Sequence, residues 1–134
     1  MSLWESVRVH FEEAGVQYGY LFGSRSRGTH RHDSDTDIGV WYPAELDVLE
    51  RFHINCRLQQ QLESVLKTPV DLVILNDAKP ILQHQAVCLG QPIFQSETLE
   101  SRLKFESLIR GRYEDYAYSQ RFFTAARKAQ RNTA

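Results

Sequence analysis

Apolar residues recur along the chain with two periods, and the switches between them outline alternating helices and strands. Leu3, Val7, Phe11 and Ala14 fall at helical spacing behind a Ser2–Glu5 capping pair, and Gly15 supplies a stop. Val16–Phe22 predicts a first strand, and Ile38–Tyr42 a second that Pro43 closes. Leu46–Leu66 predicts a long helix with Leu49, Phe52, Cys56, Leu62 and Leu66 on one side. After Pro69, Val70–Leu75 is an apolar run broken only by Asp71, which predicts a third strand. Pro80–Leu89 predicts a short helix with proline in its first turn and Gly90 at its end. Gln91–Gln95 adds a short strand, and from about Leu99 onward the pattern is helical until the Ala/Lys/Arg/Asn end frays.

Strands alternating with helices, without repeats or low-complexity linkers, predict an α/β (α+β) fold around a small sheet. At 134 residues the chain is expected to form one domain, with residues 1–97 as its core and 98–134 as a terminal helix. The apolar and charged fractions, 42% and 25%, are those of a soluble globular protein. No apolar run approaches a membrane span, and the N-terminus lacks the pattern of a secretory leader. Cys56 and Cys88 are isolated in apolar settings, so buried thiols are expected rather than a disulfide, and the chain reads as cytoplasmic.

Net charge is −1 but unevenly spread: residues 101–134 hold eight Lys/Arg against three Asp/Glu, a balance of +5, which leaves −6 on residues 1–100. Such a basic end is either a solvated helix face or a surface that docks an acidic partner or steers an anionic substrate. General binding to duplex nucleic acid is not favoured at this overall charge.

The chemistry concentrates in Gly23–Val40, GSRSRGTHRHDSDTDIGV. Gly23, directly after the first strand, lets backbone approach a bound anion, and the Ser24 hydroxyl can donate to a phosphate oxygen or cap a following helix. Arg25 and Arg27 add cationic donors. A P-loop fails at Thr29-His30, where lysine and Ser/Thr are required. Asp35 and Asp37, at i and i+2 on an extended segment, put both carboxylates on one face, where a hard cation such as Mg²⁺ offsets their repulsion. A calcium loop starting at Asp33 fails at Ile38 and Ala44. His30, His32 and Asp33 have no supporting Cys or distant His pattern for a transition metal. Asp71 is a third carboxylate. In a buried strand its charge is costly unless paired, and a strand aligned beside Ile38–Tyr42 brings it next to Asp35 and Asp37. Three carboxylates can hold two metals, one activating an attacking oxygen and one neutralising departing phosphates.

With Gly23-Ser24, Arg27-Gly28, Ser34-Asp35-x-Asp37 and a later Asp71, the chain resembles the DNA polymerase-beta-like nucleotidyltransferases. Within that superfamily it is similar to the minimal nucleotidyltransferases of the MntA antitoxin type, and more distantly to aminoglycoside nucleotidyltransferases. The resemblance implies a small mixed sheet with helices packed mainly on one face. It implies that Gly23, Ser24 and Arg25 hold the phosphates of ATP, that Asp35 and Asp37 bind one or two Mg²⁺, and that Asp71 completes the metal site and activates the acceptor hydroxyl. The implied reaction is transfer of AMP to a tyrosine of a HEPN-domain ribonuclease toxin, with pyrophosphate leaving. At 134 residues, no extra domain of the kind with which aminoglycoside-modifying relatives complete a small-molecule pocket is expected, which disfavours a drug substrate.

On the terminal helix Phe105, Ile109, Tyr113 or Tyr116, Gln120 and Phe123 follow helical spacing, and Tyr118 and Phe122 broaden the stripe. A small domain would cover this only in part, leaving ordinary core packing or a partner-docking surface as its use. Three functions stay open from sequence: a nucleotidyltransferase acting on a toxin, an antitoxin acting by complex formation alone, and a ribonuclease using the Arg25-x4-His30 spacing.

Overall fold

The computed structural model describes residues 2–23 and 36–132. Ser24, Arg25, His30, His32 and Asp35 lie outside them. Helix α1 (Leu3–Ala14) is closed at its start by the expected box: the Glu5 amide donates to Ser2 Oγ (3.2 Å) and the Ser2 amide to the Glu5 carboxylate (3.0 Å). Gly15 ends it in the left-handed conformation. Strands β1 (Tyr18–Phe22) and β2 (Thr36–Trp41) follow, then α2 (Val48–Leu66), β3 (Val70–Ile74) and a 3₁₀ turn over Leu75–Asp77. Helix α3 (Pro80–Val87), β4 (Gln91–Gln95) and α4 (Leu99–Asn132) complete the described chain.

The four strands form one mixed sheet in the order β3-β2-β1-β4, with β1 antiparallel to both β2 and β4 and β2 parallel to β3. Alternate side chains feed two cores. Ile38, Val40, Leu72 and Phe94 pack with Val7 and Phe11 of α1 and Leu58 and Leu62 of α2. Tyr18, Tyr20 and Phe22 pack on the other face with Ala86 and Val87 of α3 and Phe105 and Ile109 of α4. The mixed sheet expected from the resemblance is present, but the helices divide between both faces rather than lying mainly on one. The two phenols and Phe22 of β1 make its second face as apolar as its first, and that face too needs a helical cover.

Helix α2 begins two residues later than the sequence predicts, because Asp47 caps it: the Glu50 amide donates to Asp47 Oδ1 at 2.8 Å. Its buried face is Asn55, Leu58 and Leu62, whereas Leu49, Phe52 and Cys56 are exposed. Those three sit about 60–120° around the helix from Asn55 at 100° per residue. Asn55 holds the inward position by bonding: Tyr42 OH donates to its Oδ1 and its Nδ2 donates to the Leu72 carbonyl, each at 2.8 Å. Both cysteines are free thiols, as expected, but Cys56 is exposed, because it lies off the Asn55–Leu58–Leu62 face of α2, and Cys88, just past the end of α3, is only half-buried against the second core.

Candidate active site

One margin of the sheet gathers the end of β1 and the starts of β2 and β3. There Asp37 pairs with Phe22 across the antiparallel ladder and with Asp71 across the parallel one. Register partners on adjacent strands point to the same face, about 4.8 Å apart between strands. The two carboxylates therefore stand side by side, on the face that carries Phe22 and Tyr20. Asp37 is half-buried and Asp71 exposed. The desolvation argument for Asp71 does not hold, since β3 is an edge strand and Asp71, second in it, meets solvent. Its alignment with Asp37 does hold.

Gly23 follows β1 directly and adopts φ +76°, the left-handed region that a Cβ disfavours. It also lies against the pair: a Cβ built on Gly23 would overlap Asp37 Oδ2 and stand 3.3 Å from Asp37 Cγ. Both the backbone conformation and the closeness of the carboxylate thus call for glycine at this position. Glycine here keeps backbone and carboxylate close enough to share one small ligand. An oxygen-only donor set of two aspartates suits a hard divalent cation, which would carry further oxygens from substrate or water.

Among the described residues no group of three His, Cys, Asp or Glu side chains is close enough to hold a metal ion. Asp35, the expected partner of Asp37 in the i, i+2 pair, is outside them, as are the phosphate-binding candidates Ser24 and Arg25. The face next to the pair carries a polar cluster that sequence reading missed. Tyr20 OH donates to Glu106 Oε1 (3.1 Å), and Arg102 Nη1 pairs with the same carboxylate. Arg102 Nε also donates to Gln95 Oε1 at 2.8 Å, tying α4 to β1 and β4. Burial and the neighbouring Glu106 carboxylate push the Tyr20 phenol well above its ordinary value, so it is a fixed donor rather than an acid. Only the period-2 placement of Tyr20 on β1 hinted at it, because a pairing 86 residues away leaves no local signal.

Mixed topology, paired carboxylates at a strand margin and a glycine pressed against one of them define a nucleotidyltransferase fold. The sequence matches the family described as polymerase beta, nucleotidyltransferase over residues 7–99, and the chain belongs to it. Among curated proteins it is similar to the protein adenylyltransferase MntA of Shewanella oneidensis, 39% identical over 82 residues. That match spans 61% of this chain and 56% of the length of the relative. Among solved structures it is similar to a toxin–antitoxin crystal structure with AMP-PNP, at 28% identity and a TM-score of 0.73, covering 92% of this chain and 96% of that one. A second is the tri-AMPylated Shewanella oneidensis HEPN toxin in complex with MNT antitoxin, at 25% identity and a TM-score of 0.67, covering 92% and 94%. Among the described residues no helix is long and apolar enough to cross a membrane.

Proposed function

We propose that this chain is a cytoplasmic antitoxin that transfers AMP from ATP to a tyrosine of a HEPN-domain ribonuclease toxin and so neutralises it. The observation that carries the reading is the register of Asp37 with Asp71, backed by Gly23 at the end of β1. Similarity to a protein adenylyltransferase and to an AMPylated toxin complex supplies the substrate classes.

In this mechanism Asp35, Asp37 and Asp71 are the residues that would hold Mg²⁺, which when bound would supply positive charge beside the triphosphate. Backbone at Gly23, the Ser24 hydroxyl and Arg25 hold the phosphates that will leave. Asp71, exposed at the sheet edge, receives the proton of the acceptor hydroxyl. The tyrosine oxygen forms a bond to the α-phosphorus as the bond from that phosphorus to the bridging oxygen breaks, and pyrophosphate departs. The chain contributes chiefly positioning and charge placement, and no covalent intermediate is required.

Transfer of label from α-labelled ATP to co-purified toxin tests the reading, with intact-mass measurement of the toxin as a second readout. Asp35→Ala and Asp37→Ala should each lower transfer by at least about 100-fold without loss of folding. If the same variants still neutralise the toxin in cells at matched expression, complex formation alone explains the protection.

A further inference from the structure

Helix α4 is much longer than the body that it covers. Its 34 residues span about 51 Å, against about 17 Å for a five-residue strand. Phe105 and Ile109 are buried in the core shared with β1 and α3, with the Phe105 ring stacked on Tyr18 at 4.4 Å between centroids. Tyr113, one turn on, stacks against His84 of α3 at 3.9 Å. From Glu114 to Asn132 every described residue except Ala117 is exposed.

The apolar stripe does not stop where the cover stops. At 100° per residue Phe105, Ile109, Tyr113, Tyr116, Gln120 and Phe123 fall within a sector about 80° wide. Tyr116 is 40% and Phe123 56% exposed. A second row, Tyr118 and Phe122, lies about 100–140° away and is 67% and 61% exposed. Exposed aromatics at this density, on a segment that adds nothing to either core, mark an interaction surface. Two rows on different sides call for a groove rather than a flat face.

Charge decides the occupant. Beyond Asp115 the described helix carries Arg121, Arg127, Lys128 and Arg131 and no acidic residue, a balance of +4. Two copies pairing through this segment would set +4 against +4, which costs free energy in a water-poor contact. We propose that residues 116–131 of α4 dock into a groove with an aromatic-accepting floor and acidic rims on the protein acceptor. This rests on the reading of that acceptor as a HEPN-domain toxin, and it adds that recognition is remote from the carboxylate pair. Docking of this kind holds the acceptor near the site while its tyrosine exchanges into it.

The test uses the full chain and its purified toxin partner in a titration calorimeter, with sedimentation of the chain alone as a control. Tyr116→Ser with Phe123→Ser should weaken toxin binding at least 10-fold, and Arg127→Glu with Lys128→Glu should weaken it and flatten its salt dependence. Asp37→Ala should bind as the unaltered chain does while losing transfer, so docking and chemistry fail separately. Binding by both helix variants within twofold of the unaltered chain would overturn the proposal. So would self-association of the unaltered chain that Tyr116→Ser with Phe123→Ser abolishes while toxin binding is kept, or absence of toxin binding altogether.

Discussion

Gly23 carries two constraints at one residue, and each can be broken separately. Its φ of +76° costs a residue with a Cβ about 1–2 kcal/mol, while the closeness of Asp37 Oδ2 adds a direct overlap. Gly23→Ala should therefore lower stability by about 1–2 kcal/mol in urea denaturation and, because the Asp37 carboxylate must swing aside, lower AMP transfer about 10- to 100-fold. Asp37→Asn leaves φ and shape alone and removes only charge, so it should lose transfer with little change in stability. Equal loss of stability in both variants would show that the site depends on packing more than on the carboxylate. At this scale the shared placement of Gly23, Asp37 and Asp71 was legible because each marks a local pattern: a glycine after an aromatic strand, an aspartate leading into an apolar run and another inside one. Sequence reading misjudged the surroundings of Asp71, since one strand's own residues do not say whether that strand is central or at an edge.

Helix α2 illustrates what periodicity can and cannot fix. Its extent was legible to within two residues, as were β1 and β4, because length and punctuation by Gly and Pro are local properties. Its buried face was legible only in part: Leu62 is buried and Leu66 packs against the core as expected, but the first half of the stripe is not. Leu49, Phe52 and Cys56 make a plausible stripe, yet Asn55 turns inward because its amide closes two hydrogen bonds, to Tyr42 of the β2 end and to the Leu72 carbonyl of β3. Both partners come from other elements, so no window of sequence contains the reason. Asn55→Ala leaves a buried phenol without its acceptor and a strand carbonyl without its donor. It should cost about 2–3 kcal/mol in equilibrium denaturation, more than truncating an exposed position such as Phe52, for which the change should stay within about 0.5 kcal/mol. A smaller cost at Asn55 than at Phe52 would mean that the 49–52–56 stripe is the true inner face.

The whole molecule joins two helical layers through one sheet, and each layer contains a buried phenol. Tyr42 lies in the α1/α2 core and Tyr20 in the α3/α4 core, both fully shielded from solvent. Burial raises both phenols above the ordinary 10.0, helped at Tyr20 by the Glu106 carboxylate. Below pH 10 the folded and unfolded chains both keep these protons, so they give no pH dependence. Above it the unfolded chain releases protons that the folded chain retains, and stability falls as pH rises. Each phenol should contribute a slope of about 1.4 kcal/mol per pH unit between pH 10 and its raised folded value. Because the same strands floor both layers, the two losses should appear in one cooperative unfolding transition rather than as separate melting of either layer. Urea titrations at pH 8 to 11 measure this directly. Tyr42→Phe and Tyr20→Phe should each lower stability at neutral pH, through the acceptor left behind on Asn55 or Glu106, and each should remove part of the alkaline slope, to which the Cys88 thiol, raised by burial, also contributes. A slope unchanged by both substitutions would place the alkaline sensitivity elsewhere, and two resolved transitions would show that α3 and α4 can part from the sheet while α1 and α2 stay on it.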